Sequence, residues 1–192
     1  MRDLSSHLQH AVTESHEILR SLGELDQQMR RAADALEQCF ASGHKLLVCG
    51  NGGSAADAAH FATEFVVRLV RDRPPYPAIC LTSDAGLLTA AGNDYGFEEV
   101  FARQVAAFGQ PGDVLVCLTT SGNSRNLQRA VEEAKVRGVI TIAFLGRDGG
   151  EMINTSDIEL AVRGESTARL QEAHMLLLHV LCHVTEERLA AK

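Results

Sequence analysis

The sequence has no tryptophan, and aromatic residues fill only 5% of its 192 positions. A surface that stacks on nucleobases needs such rings, so that class of ligand is disfavoured at once. Positive charge is also short: 18 Lys and Arg stand against 25 Asp and Glu, a formal net charge of −7. No run of Lys or Arg relieves this, which argues against direct nucleic-acid binding. Any anion bound here has to be held by backbone N–H groups and hydroxyls. Paired cysteines are missing too. Cys39, Cys49, Cys80, Cys117 and Cys182 form no CxxC motif and are odd in number, which suits reduced thiols packed as small hydrophobes in the cytosol. Long apolar runs are absent. The most apolar segment, "AHMLLLHVLCHV", is too short and too rich in histidine to span a bilayer. The opening "MRDLSSHLQHAVTESHEILR" is polar and amphipathic rather than a signal peptide. The expectation is a cytoplasmic protein with no membrane partner.

What is present is a core: 45% of the residues are hydrophobic, enough for one ordinary domain over residues 1–192. From Leu4 to Phe40 apolar residues recur at helical spacing, with Gly23 marking a break between two helices. Five short apolar runs follow: "KLLVCG", "YPAICLT", "DVLVCLTT", "VITIAFLG" and "DIELAV". Helical stretches at about 54–71, 84–91, 97–108 and 124–137 separate most of them, and a long helix closes the chain at about 166–190. Strands apolar on both faces and joined by helices predict a parallel sheet covered on both sides. The fold class is therefore α/β: a three-layer, flavodoxin-like sandwich with a five-stranded parallel sheet over residues 43–192. An N-terminal helical hairpin over residues 1–42 is added to it. Such a hairpin either covers a face of its own domain or packs in an oligomer, and the second reading is preferred.

Ligands of an open parallel sheet bind where strands end and helices begin. Two such junctions have unusual composition. After the first strand comes "GNGGS", Gly50 to Ser54, with Asn51, Gly52 and Gly53 between; after the third comes "TTSGNS", Thr119 to Ser124. Glycine permits positive φ and close ligand approach, and a helix N-terminus offers free N–H groups to an anion. Hydroxyls of Thr119, Thr120, Ser121 and Ser124 add donors. Tight turns and helix caps use the same residues. Two such loops after neighbouring central strands favour a neutral phosphate cradle over that reading. A dinucleotide fingerprint lacks its acidic residue at the expected distance, and a P-loop lacks its lysine.

His60 and Glu64 are spaced i, i+4 and share a helix face just beyond the glycine loop. The last helix sets Gln171, His174, His179 and His183 into an apolar surface. One of these histidines is expected to be structural, since buried imidazoles find partners. Gln171 and His179 are about 12 Å apart along an ideal helix. They converge on one centre only by leaning together; otherwise they serve neighbouring sites in an oligomer. His60, Glu64, Gln171 and His179 make a possible N/O ligand set for zinc. Glu64 and a histidine equally make a general base and general acid. Both roles stay open.

The segments "CGNGGSAADAAHFATE", "GNDYGFEEVFARQV", "GDVLVCLTTSGNS", "GRDGG" and "RLQEAH" together resemble the sugar isomerase (SIS) domain family, and within it the phosphoheptose isomerases. The resemblance covers essentially the whole chain. It implies interconversion of sedoheptulose 7-phosphate and D-glycero-D-manno-heptose 7-phosphate, feeding nucleotide-activated heptose and lipopolysaccharide synthesis. It also implies a homotetramer with active sites between subunits. Substrate contacts carry over to Asn51, Gly52, Gly53, Ser54, Asn93, Asp94, Thr119, Thr120, Ser121, Ser124, Glu64 and Gln171. One zinc ion per subunit is implied on His60, Glu64, Gln171 and His179, with Glu64 as base and His179 as acid. Three features depart from the pattern: Thr119 where serine is common, Ala168 where aspartate is common, and "FVVRLV" without the usual Gly and Tyr. The last two are shared with a sister branch of SIS adaptors that associate with the DnaA initiator. That branch lacks a carboxylate at position 64 and a histidine at position 179, so the enzyme is expected.

Overall fold

The structure is a computed structural model that describes residues 3–191. Five strands, β1 (Leu46–Gly50), β2 (Ala78–Cys80), β3 (Val114–Thr119), β4 (Ile140–Gly146) and β5 (Ile158–Val162), form one all-parallel sheet in the order β2-β1-β3-β4-β5. Seven helices surround it: α1 (Leu4–Ser21), α2 (Asp26–Ala41), α3 (Gly53–Val66), α4 (Ala85–Tyr95), α5 (Ala102–Phe108), α6 (Arg125–Val136) and α7 (Thr167–Ala190). The expected sandwich is there.

Alternation along the strands divides the core in two. Leu46, Val48, Val114, Val116, Leu118, Ile142 and Phe144 point to one face, where α2, α3 and α7 cover them. Leu47, Cys49, Leu115, Cys117, Ala143 and Leu145 point to the other, under α4, α5 and α6. All of these side chains are essentially excluded from water.

The edges differ from the sequence expectation. Pro77 and the prolines before it provide no amide for a ladder, so β2 pairs over only three residues and leaves Ile79 exposed. β5 is buried on one face only, and Glu159 on its other face accepts the amides of Asn154, Thr155 and Ser156. The helix expected at 54–71 stops at Val66, and the one at 97–108 opens as a separate 3₁₀ turn, Phe97–Glu99. At the N-terminus a 3₁₀ turn, Leu22–Leu25, marks the break. The two halves of the N-terminal segment then diverge. α2 places Ala32, Leu36 and Phe40 in its own core, whereas α1 leaves Leu4, Leu8 and Val12 in solvent. All five cysteines are free. No described helix is long and apolar enough to cross a membrane.

Candidate functional site

β1 and β3 are neighbours, but α3 follows β1 onto one face and α6 follows β3 onto the other. The chain therefore opens a crevice between two loops at the strand ends, the topological switch point of such sheets. The loops are tied together across it. Asn51 and Asn126 exchange two amide hydrogen bonds, each 2.9 Å. Asn126 was not singled out in the sequence; its signal was a polar residue at a buried position of the amphipathic α6.

Gly52 enters α3 with φ +56, a conformation that glycine takes without strain. At Gly53 a side chain would collide with the amide of Gln171, so the loop and the second turn of α7 touch there. Ser54 is buried in the first turn of α3. In the second loop the four hydroxyls divide. Thr119 is buried, and its Oγ1 accepts the Gly122 amide at 3.1 Å, which shapes the turn. Thr120, Ser121 and Ser124 are half-buried at the mouth. The two residues after the "GRDGG" segment brace this loop from behind: Met152 N donates to Gly122 O at 3.0 Å, and Glu151 N to Asn123 Oδ1 at 3.0 Å.

A second cluster lies two turns further along α3. Gly53 and His60 are seven residues apart, as Gln171 and His179 are eight apart, so α3 and α7 pair along their length and bring His60 to His179. Their Nε2 atoms are 3.2 Å apart, and His60 Nε2 is 2.9 Å from Glu64 Oε1. One ligand atom from each of the three lies within 4.8 Å of the others. Two imidazoles and a carboxylate thus aim electron-rich atoms at one small volume, an arrangement that a cation satisfies. Zinc bonds of about 2.0–2.1 Å put tetrahedral ligand nitrogens about 3.3 Å apart, so the spacing present fits that ion. Gln171 lies at the glycine loop, against Gly53.

Asn93 and Asp94 end α4, exposed and bonded to one another at 2.8 Å. α4 lies across the sheet from α3 and α7. Ala168 is exposed in the first turn of α7. His174 is the structural histidine of α7. It is wholly buried, its Nε2 is 3.4 Å from Leu145 O, its ring lies edge-on to Phe144, and burial pushes its pKa down to about 4. Asp57, one turn before His60, has a carboxylate oxygen buried without a partner, and burial raises its pKa.

The SIS domain family model matches residues 12–146. A phosphoheptose isomerase of Coxiella burnetii is 47% identical over 162 residues, covering 83% of this chain and 81% of its own. One from Clostridium acetobutylicum is 43% identical over 186 residues, 97% of this chain and 94% of its own. The solved phosphoheptose isomerase of Neisseria gonorrhoeae superposes with a TM-score of 0.89 at 42% identity, over 96% of this chain and all of its own. With a parallel sheet of matching topology and a two-loop crevice in hand, the chain belongs to the SIS domain family and, within it, to the phosphoheptose isomerases.

Proposed function

We propose that the chain is a ketose–aldose isomerase converting sedoheptulose 7-phosphate to D-glycero-D-manno-heptose 7-phosphate, a step that would feed nucleotide-activated heptose for lipopolysaccharide. The observation that carries this reading is the convergence of His60, Glu64 and His179 beyond a neutral, hydroxyl-lined crevice. The two regions divide the work. Thr120, Ser121, Ser124 and the amides of Gly52 and Gly53 hold the phosphate, while Thr119 and Asn126 fix the loops that present them. Asn51, Ser54, Asn93, Asp94 and Gln171 complete the sugar contacts. The phosphate sits at the far end of the sugar from the reacting carbons. A phosphate crevice and a reactive cluster separated along a helix suit such a substrate.

Isomerisation moves a proton between C1 and C2 through a cis-enediol. Glu64 takes the carbon proton and returns it to the neighbouring carbon, and His179 supports the oxygen that gains or loses its proton. Groups positioned in this way contribute about 10²–10⁴-fold. His60, Glu64 and His179, with Gln171 contributed to the same centre in the oligomer, would hold one zinc ion per subunit. When bound, zinc would supply positive charge to the sugar oxygens.

The assembly is read as a cytoplasmic homotetramer whose sites are completed between subunits. Exposed Leu4, Leu8 and Val12 on α1 support this, as do exposed Leu176 and Val180 on either side of His179. A DnaA-binding adaptor is the weaker reading. An adaptor has no need of a carboxylate clustered with two histidines, and the relatives described above are isomerases.

NMR of the purified protein with sedoheptulose 7-phosphate tests the proposal, with zinc present and after chelation. Appearance of the aldose 7-phosphate supports it. A folded, zinc-loaded protein that leaves the ketose unchanged overturns it.

A further inference from the structure

We propose that the buried Arg73–Glu186 pair is the positioning device of the site, holding the Glu64 carboxylate in register with His179; this rests on the isomerase reading above. α3 ends at Val66, and the carbonyls of its last turn have no helical N–H to accept. Arg73, returning from the loop beyond, donates from Nη2 to Glu64 O at 2.7 Å and from Nη1 to Phe65 O at 2.8 Å. It thereby fixes the main chain of the proposed base. The same guanidinium donates from Nε to Glu186 Oε1 at 2.8 Å, with Nη2 equally close, and lies over the Tyr76 ring.

Glu186 belongs to α7, seven residues after His179. Two turns of helix separate them on one face. Its carboxylate also accepts the amides of Leu69 (3.1 Å) and Val70 (3.3 Å), which closes the loop that carries Arg73. One ion pair is thus bonded to the backbone of the Glu64 turn and built into the helix of His179.

The side chains are 7% and 0% exposed, so the pair has left water almost completely. Burial by itself raises the Glu186 carboxyl; the two amides and Arg73 outweigh it and hold the group below its ordinary range. Buried ion pairs add little net stability over well-packed apolar residues, because desolvation offsets attraction. What they supply is fixed geometry. Misplacing a reacting group by about 1 Å can cost on the order of 10²-fold in rate.

The test is Arg73→Lys, which keeps the charge but loses the planar fork, with Glu186→Gln as the second variant should the first not fold. Each is assayed well below its melting temperature. The expected result is a fall in kcat of about 10²-fold with KM for the phosphosugar nearly unchanged. Combined with Glu64→Gln, Arg73→Lys should add no further loss, since residues acting as a unit are not additive. Zinc titration against a competing chelator should weaken by roughly 10-fold or more. Wild-type kcat and wild-type zinc affinity in a variant that merely melts earlier would overturn the proposal. So would a loss that multiplies fully with that of Glu64→Gln. If the wild type itself isomerises nothing, the isomerase reading fails on its own account. The zinc titration then still decides whether the pair positions the trio.

Discussion

The crevice at the strand ends and the cluster between α3 and α7 are built by opposite means. The crevice uses backbone and small side chains from two short, continuous segments, Gly50–Ser54 and Thr119–Ser124, braced by Asn51, Asn126 and the turn after β4. Both of its loops come from one chain. The cluster uses three large side chains from two helices, with His60 and His179 119 residues apart in sequence and exposed Leu176 and Val180 beside it. On the proposed function, binding falls to rigid local structure and chemistry to side chains whose relation depends on tertiary packing. Variants should therefore separate: changes in the crevice alter KM, and changes in the cluster alter kcat.

The largest effect is expected from Glu64→Gln. It keeps the volume of the side chain and removes the proposed base. kcat should fall by about 10²–10⁴-fold, with binding of the phosphosugar by calorimetry little changed. A comparable loss of binding would show that the cluster also carries affinity, and the division between the regions would be lost.

The comparison also explains what could be read from the sequence. Both crevice loops were legible because glycines and hydroxyls at strand–helix junctions are local signals, and the two central strands announced themselves as unbroken apolar runs. His60 and Glu64 were legible as a helical i, i+4 pair. Their meeting with His179 was legible only as one of two open readings, a ligand set beside a base–acid pair, because no local rule relates residues 119 apart; the resemblance then implied both roles. Gln171 illustrates the same limit. Its eight-residue separation from His179 was visible, but its place against Gly53 follows from how α3 and α7 pair. The edge strands were overread. The segment "YPAICLT", beside prolines, gave only three paired residues in β2, and β5 left one face half-buried.

α7 supplies an internal control for the cluster. His174 and His179 lie on one helix, one sealed in the core and the other at the surface site. His174 has a folded-state pKa of about 4, against 6.5 for the free side chain, because burial disfavours its charged form. The unfolded chain therefore binds the extra proton between these values. Stability should hold above pH 6.5 and fall as pH drops toward 4, by about 3 kcal/mol in all. Denaturant melts of His174→Gln should flatten that slope. An unchanged slope would assign it to another group.

Within the crevice, Ser121→Ala and Ser124→Ala should each raise KM by roughly 10–100-fold, since a hydrogen bond to a charged group is worth about 1.5–3 kcal/mol, while kcat holds. Thr119→Ala should behave differently, because that hydroxyl shapes the turn from inside. Its loss should appear first as a lower melting temperature.

The smallest effect, and the sharpest on the boundary between the regions, is expected from Gly53→Ala. A methyl there would fall on the Gln171 amide, and a flexible side chain can move away at little cost. Alanine is the better helix former by up to about 1 kcal/mol, so stability should stay level or rise. If Gln171 serves the site, displacing it should still lower kcat/KM by about 10-fold, as one misplaced hydrogen bond does. Gln171→Ala should give the same loss, and the two changes together no more than either alone, because they act on one group. A Gly53→Ala protein with full activity would mean that the glycine serves only close packing of α3 against α7. Gln171 would then belong to neither region.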